Sequence, residues 1–188
     1  MDLMTNLAAC GEYLEHIRGS LIPRQMNPEI PVEPKHCHHV LRHNAFIVSA
    51  KESDIEDGSY ILTAKVDHKN ENFFFDHYID HIPGMLSANI IRQAVVVVSH
   101  IFLGIGFDKK FTMSSFESEY SAFAELDDPI TVKCKIIDPL YRNQEFSSGT
   151  LVAELFQNGH KFATGSVAFR VFPKHVYEKL RFKTKVGR

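Results

Sequence analysis

The sequence predicts an α+β fold in which an antiparallel sheet wraps around one long central helix. Three observations lead to this fold class. The segment Pro83 to Gly104 is apolar almost all round, which is typical of a buried helix rather than a surface helix. Strand-like segments precede and follow it in the chain. The dipeptides Asp57-Gly58 and Asn158-Gly159 are strong signals for antiparallel hairpins.

Length and charge indicate the domain organisation and exclude one class of partner. A chain of 188 residues, 44% of them hydrophobic, suits one sizeable domain. We expect an N-terminal extension over residues 1–35, a single domain over residues 36–181 and a basic tail over residues 182–188. Because the net charge is −2, the chain has no general basic field for a nucleic-acid backbone. Nucleic acid is therefore not an expected partner.

The N-terminal extension combines two kinds of sequence. Residues Leu3 to Ile17 favour a short helix, and prolines follow at positions 23, 28, 31 and 34. Each proline lacks a backbone donor and restricts the residue before it, so this tract is expected to be extended or irregular. We expect the extension to pack on the domain.

Alternating and β-branched segments predict the strands. Ala45 to Ala50 and Ser59 to Val66 form the first hairpin, and a loop from Asp67 to Ile82 leads to the helix. Four further strands are predicted after the helix: Thr112 to Phe123, Ile130 to Ile137, Gly149 to Gln157 and Phe162 to Phe172.

The long apolar segment is predicted to be a core helix and not a membrane span. Pro83 suits a first helical turn, and Gly104 and Gly106 suit the end of a helix. Polar residues interrupt the segment, whereas a span needs roughly 18 or more apolar residues. The cysteines at positions 10, 37 and 134 form no CxxC pair, and no secretory signal is visible. We therefore expect a cytoplasmic protein that does not bind a membrane.

The densest group of polar residues surrounds the start of this helix. Two Asp-His pairs precede it, and three polar side chains follow at a helical spacing. The backbone N–H groups of Gly84 and Met85 have no partner within a helix and can polarise a carbonyl oxygen. A histidine beside such a terminus can act as a general base near neutral pH. The side chains concerned are Asp76, His77, Asp80, His81, Asn89, Arg92 and Gln93.

Several of these residues stand in the pattern of a known family. The pattern comprises Phe75-Asp76-His77, the segment Asp80 to Leu86, and Arg92-Gln93. Further agreements are His39, the segment Phe123 to Pro129, Tyr177 and Leu180-Arg181. Residues 36 to 181 thus resemble the A-factor biosynthesis (AfsA-type) hotdog domain family. Its superfamily includes 3-hydroxyacyl-ACP dehydratases and acyl-CoA thioesterases.

The resemblance implies a hotdog fold and chemistry on acyl thioesters. Paired domains would hold acyl-ACP or acyl-CoA at their interface, and A-factor-type members transfer a β-ketoacyl group to dihydroxyacetone phosphate on the way to γ-butyrolactone signals. Characterised members tend to contain two tandem domains. This chain has one, so we expect a homodimer. We expect no cofactor.

One departure from the family pattern bears directly on the reaction. The family and the related dehydratases usually carry a carboxylate six residues after the proline, where this chain has Asn89. An amide cannot act as a general acid, so dehydration is disfavoured. The leading hypothesis is an acyltransferase. The alternatives are a thioesterase, with water as the acceptor, and a non-catalytic acyl-binding partner subunit.

We assign the site residues provisional roles in this reaction. The catalytic candidates are His77, His81, Asn89 and Arg92, and the substrate-binding candidates are Asp76, Asp80, Gly84, Met85 and Gln93. Structural alternatives remain open for several of them. The histidines would then only bond Asp76 and Asp80, Arg92 would form a salt bridge to one of these aspartates, and Gln93 would hold loop backbone.

Two further features of the sequence are candidate binding sites. The run His36-Cys37-His38-His39 has ligand types for a metal, but no second cluster completes a tetrahedral set, and we expect no metal. The basic segment from Lys174 to the C-terminus is interpreted as a solvated end, with docking of an acidic carrier protein as the alternative.

Overall fold

The computed structural model describes residues 26–69, 73–76 and 78–186. The expected helix Leu3 to Ile17 and His77 lie outside the described residues. The strands are β1 (Ile30–Pro31), β2 (Ile47–Glu52), β3 (Ser59–Ala64), β4 (Lys109–Tyr120), β5 (Ile130–Arg142), β6 (Glu145–Gln157) and β7 (His160–Pro173). The helices are α1 (Gly84–Ile101), α2 (Lys174–Val186) and short 3-10 turns at Pro34–Cys37, Arg42–Asn44 and Phe73–Phe75.

The strands form one antiparallel sheet in the order β1-β2-β3-β5-β6-β7-β4. Its inner face packs against α1, whose residues are almost completely buried beyond the second turn. Gly165 in β7 permits this close approach, because a Cβ atom there would lie 2.7 Å from Ile91 Cδ1. The predicted α+β arrangement, a sheet wrapped around a central helix, is confirmed.

The helix α1 has the ends that its sequence favours, within a few residues. Pro83 is the N-cap, one residue before the predicted first turn, and Gly104 adopts a φ of 64° just after the helix. By length and composition alone, Gly84–Ile101 would be able to cross a membrane. Its burial inside the sheet identifies it instead as the core helix.

Turns with positive φ connect the strands. Gly58, Asn158 and Gly159 have φ values of 71°, 51° and 81°, as the predicted hairpins require. Asn143 and Gln144 do the same between β5 and β6, with φ values of 51° and 67°. No glycine marks that turn, so the two strands are longer than the sequence predicted.

The basic segment after β7 is a helix from Lys174 onward, and most of its described side chains are exposed. Lys, Glu, Leu and Arg are good helix formers, which favours this conformation. Tyr177 is partly buried and lies in a cleft formed with β4 and β7. The predicted extension also contributes to the sheet, since Ile30 pairs with Ala50. The boundaries at residues 36 and 181 stay predictions.

Candidate active site along the central helix

One stripe of α1 remains accessible on an otherwise buried helix. Between Gly84 and His100, the residues that are not fully buried are Gly84, Met85, Ala88, Asn89 and Arg92. Their spacing of one, three or four residues places them on a single side over the first three turns. This stripe contains four of the predicted site residues, so any ligand of α1 must approach from this side.

The stripe begins at a helix N-terminus with free donors. Leu86 and Ser87 donate to the Pro83 carbonyl, whereas the N–H groups of Gly84 and Met85 have no acceptor in the described parts of the chain. Met85 is 72% exposed. These two N–H groups can donate to a substrate carbonyl, and the helix dipole favours the negative charge that develops there.

Tyr120, which the sequence analysis missed, holds this end of the helix. Its hydroxyl donates to the Gly84 carbonyl at 2.7 Å, and a Cβ atom on Gly84 would lie 3.3 Å from its ring. A larger residue at position 84 would require the Tyr120 ring to shift by a few tenths of an ångström. No sequence pattern indicates the pair, because 36 residues separate its members.

The loop before α1 places an Asp-His pair beside the stripe. His81 Nδ1 donates to Asp80 at 2.7 Å, and this bond holds the pKa of the Asp80 carboxyl below its usual range. The neutral His81 ring therefore has its lone pair on Nε2. Its other neighbour is Phe123, whose ring centroid lies 4.9 Å away. Of the two predicted Asp-His pairs, this one can be described.

The other predicted pair, Asp76-His77, cannot be described as a pair, because His77 lies outside the described residues. Asp76 is exposed and has an interaction partner.

A loop attached to the sheet fixes the position of the Asp80-His81 pair. Ile82 N–H donates to the Ala124 carbonyl at 2.8 Å. Gln157 in turn holds the loop that contains Ala124 against β6. Its side-chain oxygen accepts from Glu125 N–H, and its side-chain nitrogen donates to the carbonyls of Glu125 and Asp128. The segment Phe123 to Pro129, which carries part of the family pattern, thus positions the residues before α1.

Arg92 forms the other end of the stripe. Its Nε donates to Asn89 Oδ1 at 2.9 Å, and its Nη2 lies 2.9 Å from His39 Nε2. The alternative of a salt bridge to Asp76 or Asp80 is not observed, and no carboxylate of the described residues contacts the guanidinium. Burial lowers the pKa of Arg92, although the group stays charged. A partly buried cation with neutral partners attracts an anion.

His39 accepts from Arg92 through Nε2, so its proton is on Nδ1. Burial and the Arg92 charge lower the pKa of His39. Protonation of His39 would replace this hydrogen bond with a repulsion between two cations. The pair therefore favours a neutral imidazole and leaves the remaining guanidinium N–H groups for other partners.

Gln93 points away from the accessible stripe and holds backbone. It is fully buried, its Oε1 accepts from Phe46 N–H at 2.9 Å, and its Nε2 donates to the Asn44 carbonyl at 2.8 Å. Both ends of the amide are used by the chain entering β2. These bonds correspond to the loop-holding alternative, and a contact with substrate stays a prediction.

The histidine run near residue 36 diverges instead of converging. His36 bonds the Glu33 N–H, His38 bonds His100, and His39 bonds Arg92. Within the described residues, no group of three or more His, Cys, Asp or Glu side chains is placed to hold a metal ion. Cys37 is buried, and burial raises the pKa of its thiol to about 11, so it is a poor nucleophile.

A large groove lies elsewhere, on the sheet face away from α1. It encloses about 790 Å³ across β3, β5, β6, β7 and β4, and none of the predicted site residues lines it. Two ion pairs lie on this face, Lys135 with Glu56 and Lys161 with Glu154. The candidate site is therefore the accessible stripe of α1 with the loop before it.

With this geometry described, comparison with known proteins identifies the family. The A-factor biosynthesis (AfsA) hotdog domain matches residues 23–173, which is more than half of the chain. The chain belongs to this family. The resemblance found in the sequence is confirmed, and the matched region spans α1, the loop before it and the whole sheet. No curated protein matches the chain.

Solved structures share the hotdog fold at low sequence identity. A hypothetical protein of Thermus thermophilus, described as a thioesterase superfamily member, is 13% identical with a TM-score of 0.52, over 70% of this chain and 93% of that one. A hypothetical thioesterase of Streptococcus pneumoniae, solved with coenzyme A, is 16% identical with a TM-score of 0.46, over 66% and 89%. A Streptococcus mutans protein bound to acetyl CoA is 14% identical with a TM-score of 0.46, over 71% and 93%. The chain is thus an AfsA-type hotdog protein, related to acyl-thioester chemistry through its family.

Proposed function

We propose that this AfsA-type protein transfers a β-ketoacyl group from an ACP or CoA thioester to a small hydroxylated acceptor that carries a phosphate. Arg92 carries the proposal. It is a partly buried cation on the accessible side of α1, and its partners are the neutral groups of Asn89 and His39. A guanidinium in this setting binds a phosphate well, because its planar N–H groups match the phosphate oxygens.

The stripe has a place for each reacting group. The thioester carbonyl accepts from the free N–H groups of Gly84 and Met85 at the helix N-terminus. The acceptor phosphate lies against Arg92, about two helical turns, or roughly 10 Å, further along α1. Helical side chains lean toward the N-terminus, which brings the guanidinium nearer to the carbonyl. Asn89 lies between them and orients Arg92 through its Oδ1.

The transfer needs one base. His81, oriented by Asp80, takes the proton of the acceptor hydroxyl through Nε2 as the hydroxyl oxygen attacks the thioester carbonyl carbon. The tetrahedral intermediate then collapses, the C–S bond breaks, and the imidazolium returns the proton to the departing thiolate. His77 is the alternative base. No carboxylic acid is required in these steps, so Asn89 is compatible with them.

We also propose a cytoplasmic homodimer. The sheet ends at β4, whose twelve residues pair with β7 alone within the described parts of the chain, and Met113 and Tyr120 on this strand are exposed. Edge strands of this length are normally covered, and a second copy would cover both edges by symmetry. Light scattering on the purified chain measures the mass, and a monomer at micromolar concentration would contradict this part of the proposal.

The proposed reaction is tested by thiol release from β-ketoacyl-CoA and β-ketoacyl-ACP, with dihydroxyacetone phosphate or unphosphorylated dihydroxyacetone as the acceptor. The expected result is release that depends on the phosphorylated acceptor, with an ester product identified by mass. Equal release with no acceptor would establish a thioesterase instead. Bound thioester without release would favour an acyl-binding subunit.

A further inference from the structure

A cleft on the outer face of the sheet has the composition of an anion site. It encloses about 420 Å³ between α2 and the outer face of β4 and β7. Two arginines line it, Arg170 from β7 and Arg181 from α2, and no carboxylate is among its lining residues. The cleft is separate from the accessible stripe of α1, which lies on the inner face.

The two guanidinium groups have no ion-pair partner in the parts of the chain that the structure describes. Arg181 lies over the Tyr177 ring, 5.7 Å from its centroid, which orients the group without neutralising it. Arg170 is opposite Thr112 on one neighbouring strand and Ser148 on the other. Its cross-strand neighbours are therefore hydroxyl-bearing residues, which can add hydrogen bonds to an anion.

Charge is concentrated at this place. Among the described side chains of α2, two Lys and one Arg stand against one Glu, although the chain as a whole has a net charge of −2. The field of α2 therefore favours anions at the cleft. Phe172 and Tyr177 supply apolar walls beside the arginines, which a simple inorganic ion would not use.

We propose that this cleft binds a phosphate ester, with Arg170 and Arg181 holding the phosphate and Phe172 and Tyr177 contacting its organic part. The identity of this ester rests on the proposed function, in which the phosphate is part of the molecule that carries the acyl group. Two sources share this chemistry, the nucleotide of CoA and the phosphopantetheine group of a carrier protein.

The test is calorimetric binding of CoA, dephospho-CoA, 4′-phosphopantetheine, pantetheine and inorganic phosphate to the full chain. Wild type is compared with an Arg170→Gln/Arg181→Gln variant and with Lys179→Gln, which removes a charge from α2 outside the cleft. The double variant is expected to lose tenfold or more in affinity for the phosphate esters, because two charge-assisted contacts are removed. Lys179→Gln should change affinity by less than twofold, and pantetheine should not distinguish the three proteins.

The probes separate the two sources of phosphate. A loss of affinity on removing the 3′-phosphate from CoA would identify the nucleotide, whereas equal binding of CoA and 4′-phosphopantetheine would identify the phosphate that carrier proteins share. Either result supports the cleft. An equal loss in Lys179→Gln, no binding to wild type, or inorganic phosphate binding as tightly as the esters (an adventitious ion only) would overturn it.

Failure here is distinguishable from failure of the proposed function. Binding is read without turnover. Acceptor-dependent thiol release from a protein whose double variant keeps its affinity for CoA would remove the cleft and leave the transferase. If the double variant loses affinity for CoA but wild type releases no thiol, the cleft is supported and the transferase is excluded.

Discussion

His38 Nε2 lies 2.8 Å from His100 Nε2, and this contact joins the N-terminal segment to the last turn of α1. His100 Nδ1 lies 2.6 Å from the Ile105 carbonyl, which can only accept, so His100 is protonated on Nδ1. A neutral His100 then accepts at Nε2, and His38 donates. The contact requires that at least one of the two rings is neutral, because one Nε2 must accept. His38 has a left-handed backbone with a φ of 58°, so the pair holds a conformation that histidine seldom adopts.

This pair predicts that stability falls in mild acid. Burial, with His100 and Arg92 next in importance, lowers the pKa of His38 from 6.5 to about 4, and burial lowers the pKa of His100. Between pH 6.5 and 4 the unfolded chain therefore binds more protons than the folded chain. The stabilisation is complete above pH 6.5 and is lost as the pH falls toward 4. Lys110 and His39 also face His38 and oppose its protonation.

Urea unfolding at pH 7, 6 and 5 measures this dependence. Linkage limits the change to about 1.4 kcal/mol per pH unit for one excess proton, and the exposure of His38 lowers the expected change below that limit. His38→Asn, which suits a left-handed backbone, should flatten the dependence. His160→Asn, at the exposed first residue of β7, is the matched control and should follow wild type. Identical profiles for all three proteins would show that the pair does not titrate.

Asn89→Asp is expected to raise stability and lower activity. The new carboxylate would face Arg92 Nε at the 2.9 Å position of the amide oxygen, and a charge-assisted bond is stronger than a neutral one by about 1 kcal/mol. The same carboxylate would neutralise Arg92 and raise the KM for a phosphorylated acceptor about tenfold. Urea unfolding and thiol release measure the two effects. In an Arg92→Gln background, Asn89→Asp should not stabilise; a gain there would show that the effect does not depend on Arg92.

Tyr120→Phe tests the attachment of the helix N-terminus. It removes the hydroxyl that donates to the Gly84 carbonyl and keeps the ring against Gly84. We expect a loss of about 0.5–1 kcal/mol in unfolding free energy, with a lower kcat because the Gly84 and Met85 N–H groups are held less firmly. Tyr78→Phe, at a residue that is 92% exposed, should leave both quantities unchanged. Equal effects of the two substitutions would exclude the assigned role.

Gln93→Leu should be the most destabilising of these changes. It leaves Phe46 N–H without its acceptor in the core and removes the bond to the Asn44 carbonyl, at an expected cost of about 2–4 kcal/mol in unfolding free energy. Ser99→Ala is its counterpart on the same helix. Ser99 Oγ is buried with no hydrogen-bond partner among the described residues, so its removal should be neutral or stabilising. Thermal and urea unfolding of both variants provide the comparison.

Local sequence was sufficient for the elements that local chemistry specifies. The apolar segment with Pro83 before it predicts α1, and Asp57-Gly58 and Asn158-Gly159 predict two hairpins, because helix caps and turns with positive φ depend on neighbouring residues. The helical spacing placed Asn89, Arg92 and Gln93 on one side of α1. Asn89 and Arg92 do lie on the accessible stripe, but Gln93 is buried and points away from it. The family, too, was recognisable from the motif around Pro83-Gly84.

Contacts between distant segments were decided by the tertiary structure alone. Arg92 bonds His39 rather than an aspartate. The Tyr120 hydroxyl bonds the Gly84 carbonyl, and Gln93 holds the chain entering β2. The partners are separated by 53, 36 and 49 residues, so no spacing rule relates them. The sequence by itself determined which groups are available for chemistry. The wrapping of the sheet around α1 decided which of these groups remain accessible and which hydrogen-bond partners they have.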